Sequence, residues 1–122
     1  MTDRELLEAA AKAASLVVLA YVEGYDDYYW KGPTTGLQIE GANGVWNPLE
    51  DDGDALRLAV KLRLELRPDM GSQDGVIAVA GNGVWEEVHA GKDADQGARE
   101  DCTRRAIVRA AAAIGGRIEL RT

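Results

Sequence analysis

The chain has 122 residues, of which 46% are apolar and 29% charged, a composition that fits one globular domain and excludes wholesale disorder. Its net charge of −7 disfavours non-specific binding to nucleic acid or to an anionic membrane surface. The length leads us to expect that residues 1–122 form a single domain. The one cysteine excludes an internal disulfide, so we expect the protein in the reducing cytoplasm.

A helix and a strand are the first predicted elements. Thr2–Glu5 has the spacing of a capping box, and apolar residues recur behind it at helical intervals, so a helix is expected over 3–14. The β-branched run Leu16–Val22 predicts a strand, and it is about a third of the length that a membrane span requires. Tyr28–Trp30 predicts the start of a second strand, which Gly32–Pro33 ends.

The dipeptide Asn-Gly occurs twice between apolar runs. It is the strongest short-range signal for a β-hairpin, because both residues tolerate the positive φ of a type I′ turn. The two predicted hairpins are 37–42 with 45–46 around Asn43-Gly44, and 76–80 with 84–88 around Asn82-Gly83.

These two hairpins also resemble each other in sequence. Five of eleven positions match between residues 36–46 and 75–85, and each hairpin precedes a helical stretch. Each unit then closes with a similar tail, at 63–67 and at 117–121. We interpret the pattern as an internal duplication of a hairpin–helix–strand unit. The alternative is that hairpins with Asn-Gly turns look alike by chance.

The middle of the chain allows two interpretations. Acidic residues at 50–54 suit the N-terminus of a helix, and small and apolar residues then recur at helical spacing. This favours a helix over 53–62 followed by a strand over 63–67. Apolar residues also alternate with mostly charged ones from 56 to 66, so a single strand over 56–67 is the alternative.

The last predicted element is an alanine-rich helix over 96–114, with Cys102 on its apolar face. Gly115-Gly116 is expected to end this helix, because glycine is common at helix C-termini. The order of elements predicts an α+β fold, with a mainly antiparallel sheet and about three helices.

Few side chains are candidates for catalysis. Cys102 and His89 could form a dyad, but a cysteine on an apolar helix face is usually buried, and two such residues are too few for a zinc site. An acidic cluster could hold Mg²⁺ or Ca²⁺, although the EF-hand spacing fails and a helix N-terminus explains it more simply. We therefore expect no cofactor and no catalytic residue. The acidic cluster is Asp51, Asp52 and Asp54.

Aromatic side chains form the first two candidate binding groups. Tyr28, Tyr29 and Trp30 make a dense patch that could stack on a ligand or anchor an interface, or could instead cap the sheet. Trp46 and Asn47 form the second group, for which core packing and a hydrogen bond to the backbone of a turn are the alternatives.

Arginines on the last helix form the third group. Residues 99–122 carry a charge of +3, so the rest of the chain carries −10. Arg105 and Arg109 lie one helical turn apart, and with Arg104 they could form a fork for a phosphate or carboxylate. The alternative is that they pair with acidic residues on the body of the protein.

Three segments carry a family resemblance. Residues 6–14 read LLEAAAKAA, residues 46–62 read WNPLEDDGDALRLAVKL, and residues 103–115 read TRRAIVRAAAAIG. Together they cover roughly a third of the chain. They resemble a group of small uncharacterised phage and prophage proteins of Gram-negative bacteria. The resemblance implies a phage accessory protein that acts in an infected bacterium, and it carries no catalytic residues.

Three hypotheses for the function follow. The first is a non-enzymatic phage accessory protein that binds a host component, either a defence protein or a nucleotide-derived defence signal. The second is an oligomeric interaction module without a small ligand, favoured by the charge asymmetry and by an open sheet edge. The third, ranked last, is a metal-dependent enzyme that uses the acidic cluster.

Overall fold

The computed structural model describes residues 1–68, 75–80, 85–91 and 95–120. These ranges contain helices and antiparallel strands, which confirms the predicted α+β class. The elements in chain order are α1 (Asp3–Ala13), β1 (Val18–Val22), β2 (Gly36–Ile39), α2 (Asp52–Leu62), β3 (Glu65–Pro68), β4 (Gly75–Val79), β5 (Trp85–His89) and α3 (Gln96–Leu120).

The described strands form two antiparallel sheets rather than one. In the first sheet β1 pairs with β2, with Tyr21 opposite Leu37 and an irregularity between Val18 and Ala20. In the second sheet β4 lies between β3 and β5, and Ala78 of β4 lies opposite Leu66 of β3. The pairing of β4 with β5 confirms the second predicted hairpin, whose Asn-Gly turn lies outside the described residues.

Helix α3 is the centre of the packing. It contacts α1, α2 and the strands β4 and β5. Fully buried alanines make these contacts, with Ala106 and Ala110 facing Ala78 of β4 and with Ala111 in the cluster that includes Ala10 of α1. Short side chains let the helix axes and the sheet approach closely, and the close approach removes apolar surface from water.

Helix α3 continues past the glycines that were expected to end it. It runs to Leu120, so the predicted end at Gly115-Gly116 and the predicted strand over 117–121 are both wrong for the described residues. The cause is tertiary packing, because a Cβ on Gly115 would collide with the carbonyl oxygen of Ala9 in α1. Gly115 therefore allows α1 and α3 to lie in close contact. The internal duplication of a hairpin–helix–strand unit stays a prediction.

Helix α2 resolves the ambiguity in the middle of the chain. Asp51 caps it by accepting a hydrogen bond from the Asp54 N–H at 2.8 Å. Arg63 ends it in the left-handed conformation, with φ at +54°, and β3 follows. The predicted helix and the strand after it are confirmed, and the alternative of one strand over 56–67 is wrong.

The chain between β1 and β2 differs from the prediction. Residues 28–30 form a turn instead of a strand, and β1 pairs with β2 across this connection. Only part of the predicted first hairpin forms, as a single bridge between Leu37 and Trp46. Its turn is not type I′, because Asn43 does not have a positive φ, whereas Gly44 does at +72°.

Candidate functional site

Among the residues whose burial the structure describes, the most exposed aromatic side chains lie on the connection between β1 and β2. A hydrogen bond of 2.7 Å from the Tyr25 N–H to the Thr34 carbonyl extends the hairpin, and residues 25–31 project beyond it as a loop that we name the aromatic tip. Tyr28 and Tyr29 are 84% and 87% exposed. Their rings meet edge to face, with centroids 5.2 Å apart, so both present one apolar surface to solvent.

Asp27 fixes the shape of the aromatic tip. Its Oδ1 accepts a hydrogen bond of 3.0 Å from the Tyr29 N–H, and its Oδ2 accepts one of 3.2 Å from the Tyr25 hydroxyl. Its carbonyl accepts a third from the Trp30 N–H at 3.0 Å. This is the Asx-turn chemistry in which a short acidic side chain replaces backbone partners. The two exposed tyrosines therefore stand on an ordered turn.

Trp30 anchors the tip to the rest of the protein. Its indole Nε1 donates to the Pro33 carbonyl at 2.8 Å, and its ring lies against Gly44, where a Cβ would collide with it. The ring also meets that of Tyr25 edge to face at 6.4 Å. The glycine at position 44 thus makes room for the Trp30 indole.

The aromatic tip and its approach are acidic. Glu23, Asp26 and Asp27 outnumber Lys31, whose Nζ lies 5.8 Å from the centre of the Tyr28 ring. Partial desolvation raises the pKa of the Tyr25 hydroxyl, and its hydrogen bond to Asp27 adds to the rise. The tip therefore combines apolar rings with negative charge.

Arg104 has a structural role. Its side chain is only 12% exposed and forms ion pairs with Asp52 of α2 and Asp101 of α3. Its Nε also donates to the Leu49 carbonyl at 3.0 Å. Burial alone would lower the pKa of Arg104, but the hydrogen bonds to the two carboxylates outweigh it and raise the pKa. The guanidinium therefore joins α3 to the start of α2.

Arg105 and Arg109 line one cavity of about 560 Å³. Arg105 donates to the carboxylate of Asp3 at 3.1 and 3.4 Å, and Arg109 lies 3.3 Å from a carboxylate oxygen of Glu86. Each arginine thus has an acidic partner on another element. Pairing with acidic residues was the alternative to an anion-binding fork in the sequence analysis. It reduces the positive charge that an anion would meet in this cavity.

Asn47 is buried and holds the chain in place. It is 4% exposed, its Nδ2 donates to the Thr35 carbonyl at 2.7 Å, and its Oδ1 accepts from the Leu49 N–H at 3.0 Å. Trp46 beside it is half-buried, packs against the main core and lines a cavity of about 260 Å³. Of this pair, Trp46 is the residue that remains partly exposed.

The acidic cluster shapes the start of α2. Asp51 caps the helix, Asp52 pairs with Arg104, and Asp54 accepts from the Asn47 N–H at 2.9 Å. Within the described ranges, no three His, Cys, Asp or Glu side chains are grouped so that they could hold a metal ion. Cys102 is buried, and its Sγ donates to the Val88 carbonyl at 3.0 Å.

The predicted site residues do not form one site. The cavity lined by Arg105 and Arg109 contains no aromatic side chain of the tip, although Arg105 and Asn47 share a separate cleft of about 340 Å³. One exposed apolar segment was not predicted: Val17, just before β1, and Leu19, near its start, are 55% and 64% exposed. A continuous apolar run predicts a strand but not which of its faces remains uncovered.

Comparison of this chain with family models, curated proteins and solved structures found no match. Among the helices of the described ranges, none has both the length and the apolar character that crossing a bilayer would demand.

Proposed function

We propose that the chain is a non-enzymatic accessory protein that binds a host bacterial protein in the cytoplasm through the aromatic tip. The observation that carries the proposal is the pair of ordered, almost fully exposed rings of Tyr28 and Tyr29. The phage origin comes from the family resemblance of the three sequence segments.

A tyrosine pair of this kind suits a protein interface. Tyrosine is enriched among the residues that dominate binding energy, because it buries a large surface at a small entropic cost. Asp27 and Trp30 order the turn before any partner arrives, so little conformational freedom remains to be lost on binding. Because these two rings are exposed in the free chain, their exposure does not stabilise its fold.

The acidic charge of the tip indicates the character of the partner. Asp26 and Asp27 belong to the tip and Glu23 precedes it, and the whole chain carries a charge of −7. A basic surface on the partner would be attracted over the range of a Debye length, which raises the association rate more than the affinity. The partner is therefore a host protein with a basic, apolar-lined surface.

A nucleotide-derived signal is the less favoured ligand. Such a ligand needs cationic groups beside aromatic rings, whereas Arg104 is committed to two carboxylates, and Arg105 and Arg109 each pair with one. The aromatic tip has exposed rings but no arginine. The cavity lined by Arg105 and Arg109 has cationic side chains, but each already pairs with a carboxylate.

The test uses three tagged baits in a lysate of a Gram-negative host. The first is the wild-type chain, and the second, the tip variant, carries Tyr28→Ser and Tyr29→Ser. The third carries Leu56→Ser and Val60→Ser, which removes two apolar side chains that are 64% and 69% exposed on α2. Equal unfolding midpoints of the three baits establish that each is folded.

We expect a host protein to be retained by the wild type and by the α2 variant but not by the tip variant. After purification, this host protein should bind the wild type again. Equal retention by all three baits, or loss with the α2 variant alone, contradicts the proposal. Calorimetry with ADP-ribose and cyclic nucleotides is a second arm. Heat of binding that an Arg105→Ala, Arg109→Ala variant abolishes would favour the nucleotide-derived signal instead.

An oligomeric interaction module is the second candidate. The segment 17–19, which leads into β1, favours it, because Val17, Val18 and Leu19 are exposed and, within the described residues, β1 pairs with β2 alone. An uncharged edge strand can pair with its own copy about a two-fold axis without like-charge repulsion. The irregularity beside Leu19 opposes such pairing, which is why this candidate is second.

Sedimentation velocity from 5 to about 200 μM tests the oligomeric module, since a weak dimer dissociates within this concentration range. A dimer that Leu19→Lys dissociates and Leu56→Lys does not would support it. A monomer at every concentration excludes pairing through β1.

A further inference from the structure

A cavity between the end of α1, the strand β2 and the helix α2 has the features of a small-molecule site. Its volume is about 260 Å³, and none of its lining residues belongs to the aromatic tip. The buried side chains of Ala14, Ile39 and Leu58 form its floor, and the half-buried Leu16 and Trp46 form its walls. An apolar interior with a few polar groups at one end is typical of ligand pockets.

The mouth of this cavity is positively charged. Arg57 and Lys61 lie one turn apart on α2 and line the cavity, whose lining contains no carboxylate. Arg57 reaches back along the helix and donates to the Asp54 carboxylate at 2.7 Å. Lys61 is exposed and, among the residues that the structure describes, has no ion-pair partner. It is therefore the cation available to a ligand.

We propose that this cavity binds a small anion with an apolar body, its chain or ring against Trp46 and Leu58 and its anionic group at Lys61. The volume limits the body to roughly eight water-sized groups, which a short acyl chain or one aromatic ring would fill. The charge at the mouth selects the anion over a neutral or cationic analogue of the same shape. The proposal does not depend on the function of the aromatic tip.

Sodium octanoate is the probe, titrated into the isotope-labelled full-length chain and followed by nuclear magnetic resonance. Saturable shifts are expected at the methyl groups of Ile39 and Leu58 and at the indole N–H of Trp46, all fitting one dissociation constant. Octylammonium chloride has the same chain and the opposite charge, so it loses the attraction to Lys61 and meets a repulsion of similar size, and it should bind about tenfold more weakly. Shifts that do not saturate with octanoate, or equal binding of octylammonium, would overturn the proposal.

Three variants test the anionic group. Lys61→Gln should weaken octanoate about two- to fivefold, the factor that corresponds to one exposed ion pair. Ala42→Glu places a carboxylate at the exposed mouth and should weaken it by at least as much. Lys12→Gln removes the same charge from a lysine that does not line the cavity and should leave the dissociation constant unchanged.

The fold of each variant is checked by its unfolding midpoint and by the resonances of Ile39 and Leu58 before octanoate is added. An unchanged dissociation constant in a folded Lys61→Gln variant overturns the assignment of the anionic group. Equal weakening by Lys12→Gln overturns it as well, because the effect would then follow net charge and not position.

Discussion

The backbone N–H of Asn47 donates to the Oδ2 of Asp54 at 2.9 Å, and both residues are buried, at 4% and 8% exposed. The same carboxylate pairs through Oδ1 with Arg57 at 2.7 Å. The bond ties the segment after Trp46 to the first turn of α2. Asp54 belongs to an acidic run that could be taken for a metal site, but its carboxylate has a structural role.

Asp54→Ala should therefore destabilise the protein. The Asn47 N–H would remain buried without its acceptor, which costs about 1 to 3 kcal/mol. Urea unfolding at pH 7 measures the loss. Asp26→Ala is the matched control, because Asp26 is exposed in the aromatic tip, and its effect should stay within about 0.5 kcal/mol. Equal effects of the two substitutions would contradict this role of Asp54.

The two adjacent glycines of α3 should respond to alanine in opposite directions. Gly115→Ala places a Cβ against the Ala9 carbonyl and should cost about 1 to 3 kcal/mol, because neither backbone can move aside freely. Gly116→Ala points into open space and should stabilise the helix by about 0.5 to 1 kcal/mol. Thermal unfolding of the two variants is the measurement, and a loss of the same size in both would refute the close approach.

The N-terminus of α1 should show a pH dependence from its capping box. Hydrogen bonds from the Thr2 backbone N–H and side chain hold the pKa of Glu5 below its ordinary value of 4.5. A lowered carboxyl pKa contributes stability that is present above pH 4.5 and is lost as the pH falls through the lower, folded value. Glu5→Gln should thus reduce the free energy of unfolding at pH 7 and converge with the wild type in acid.

Denaturation curves recorded at intervals from pH 7 down to about 2.5 test this dependence, because they follow stability from well above the ordinary pKa of 4.5 to well below it. A constant difference between Glu5→Gln and the wild type at every pH would show that the capping box does not act through the charge of Glu5.

Arg104 should matter to stability and not to ligand binding. Arg104→Ala removes the bond to the Leu49 carbonyl and both ion pairs of a largely buried guanidinium, so a loss of about 1 to 3 kcal/mol is expected. Arg109→Ala, whose side chain is 44% exposed, should cost less than about 1 kcal/mol. Equal losses in chemical denaturation would contradict the structural role of Arg104.

The sequence predicted what local chemistry determines. The capping box at Thr2, the acidic start of α2 and the helix and strand that follow it could be predicted because each depends on residues a few positions apart. The α+β class followed from the order of these elements. The exposed tyrosines were identified as candidates, although nothing in the sequence showed that they face solvent.

What the sequence did not predict depends on distant contacts. Gly115 reads as a helix stop, yet it lies inside α3 because Ala9 is over a hundred positions away in the chain. Trp30 reads as the start of a strand, yet its ring occupies the space above Gly44. Arg104 reads as a possible anion ligand, yet Asp52 of another helix already pairs with it. Local propensity gives way to tertiary contacts at each of these positions.

Binding through the aromatic tip is tested most directly by the dissociation constants of the captured host protein for the wild type and for the tip variant. Loss of both Tyr28 and Tyr29 should weaken binding about thirtyfold or more, because two dominant aromatic contacts are removed. The Leu56→Ser, Val60→Ser variant should bind like the wild type. Dissociation constants within about twofold for the wild type and the tip variant would contradict a binding role for the aromatic tip.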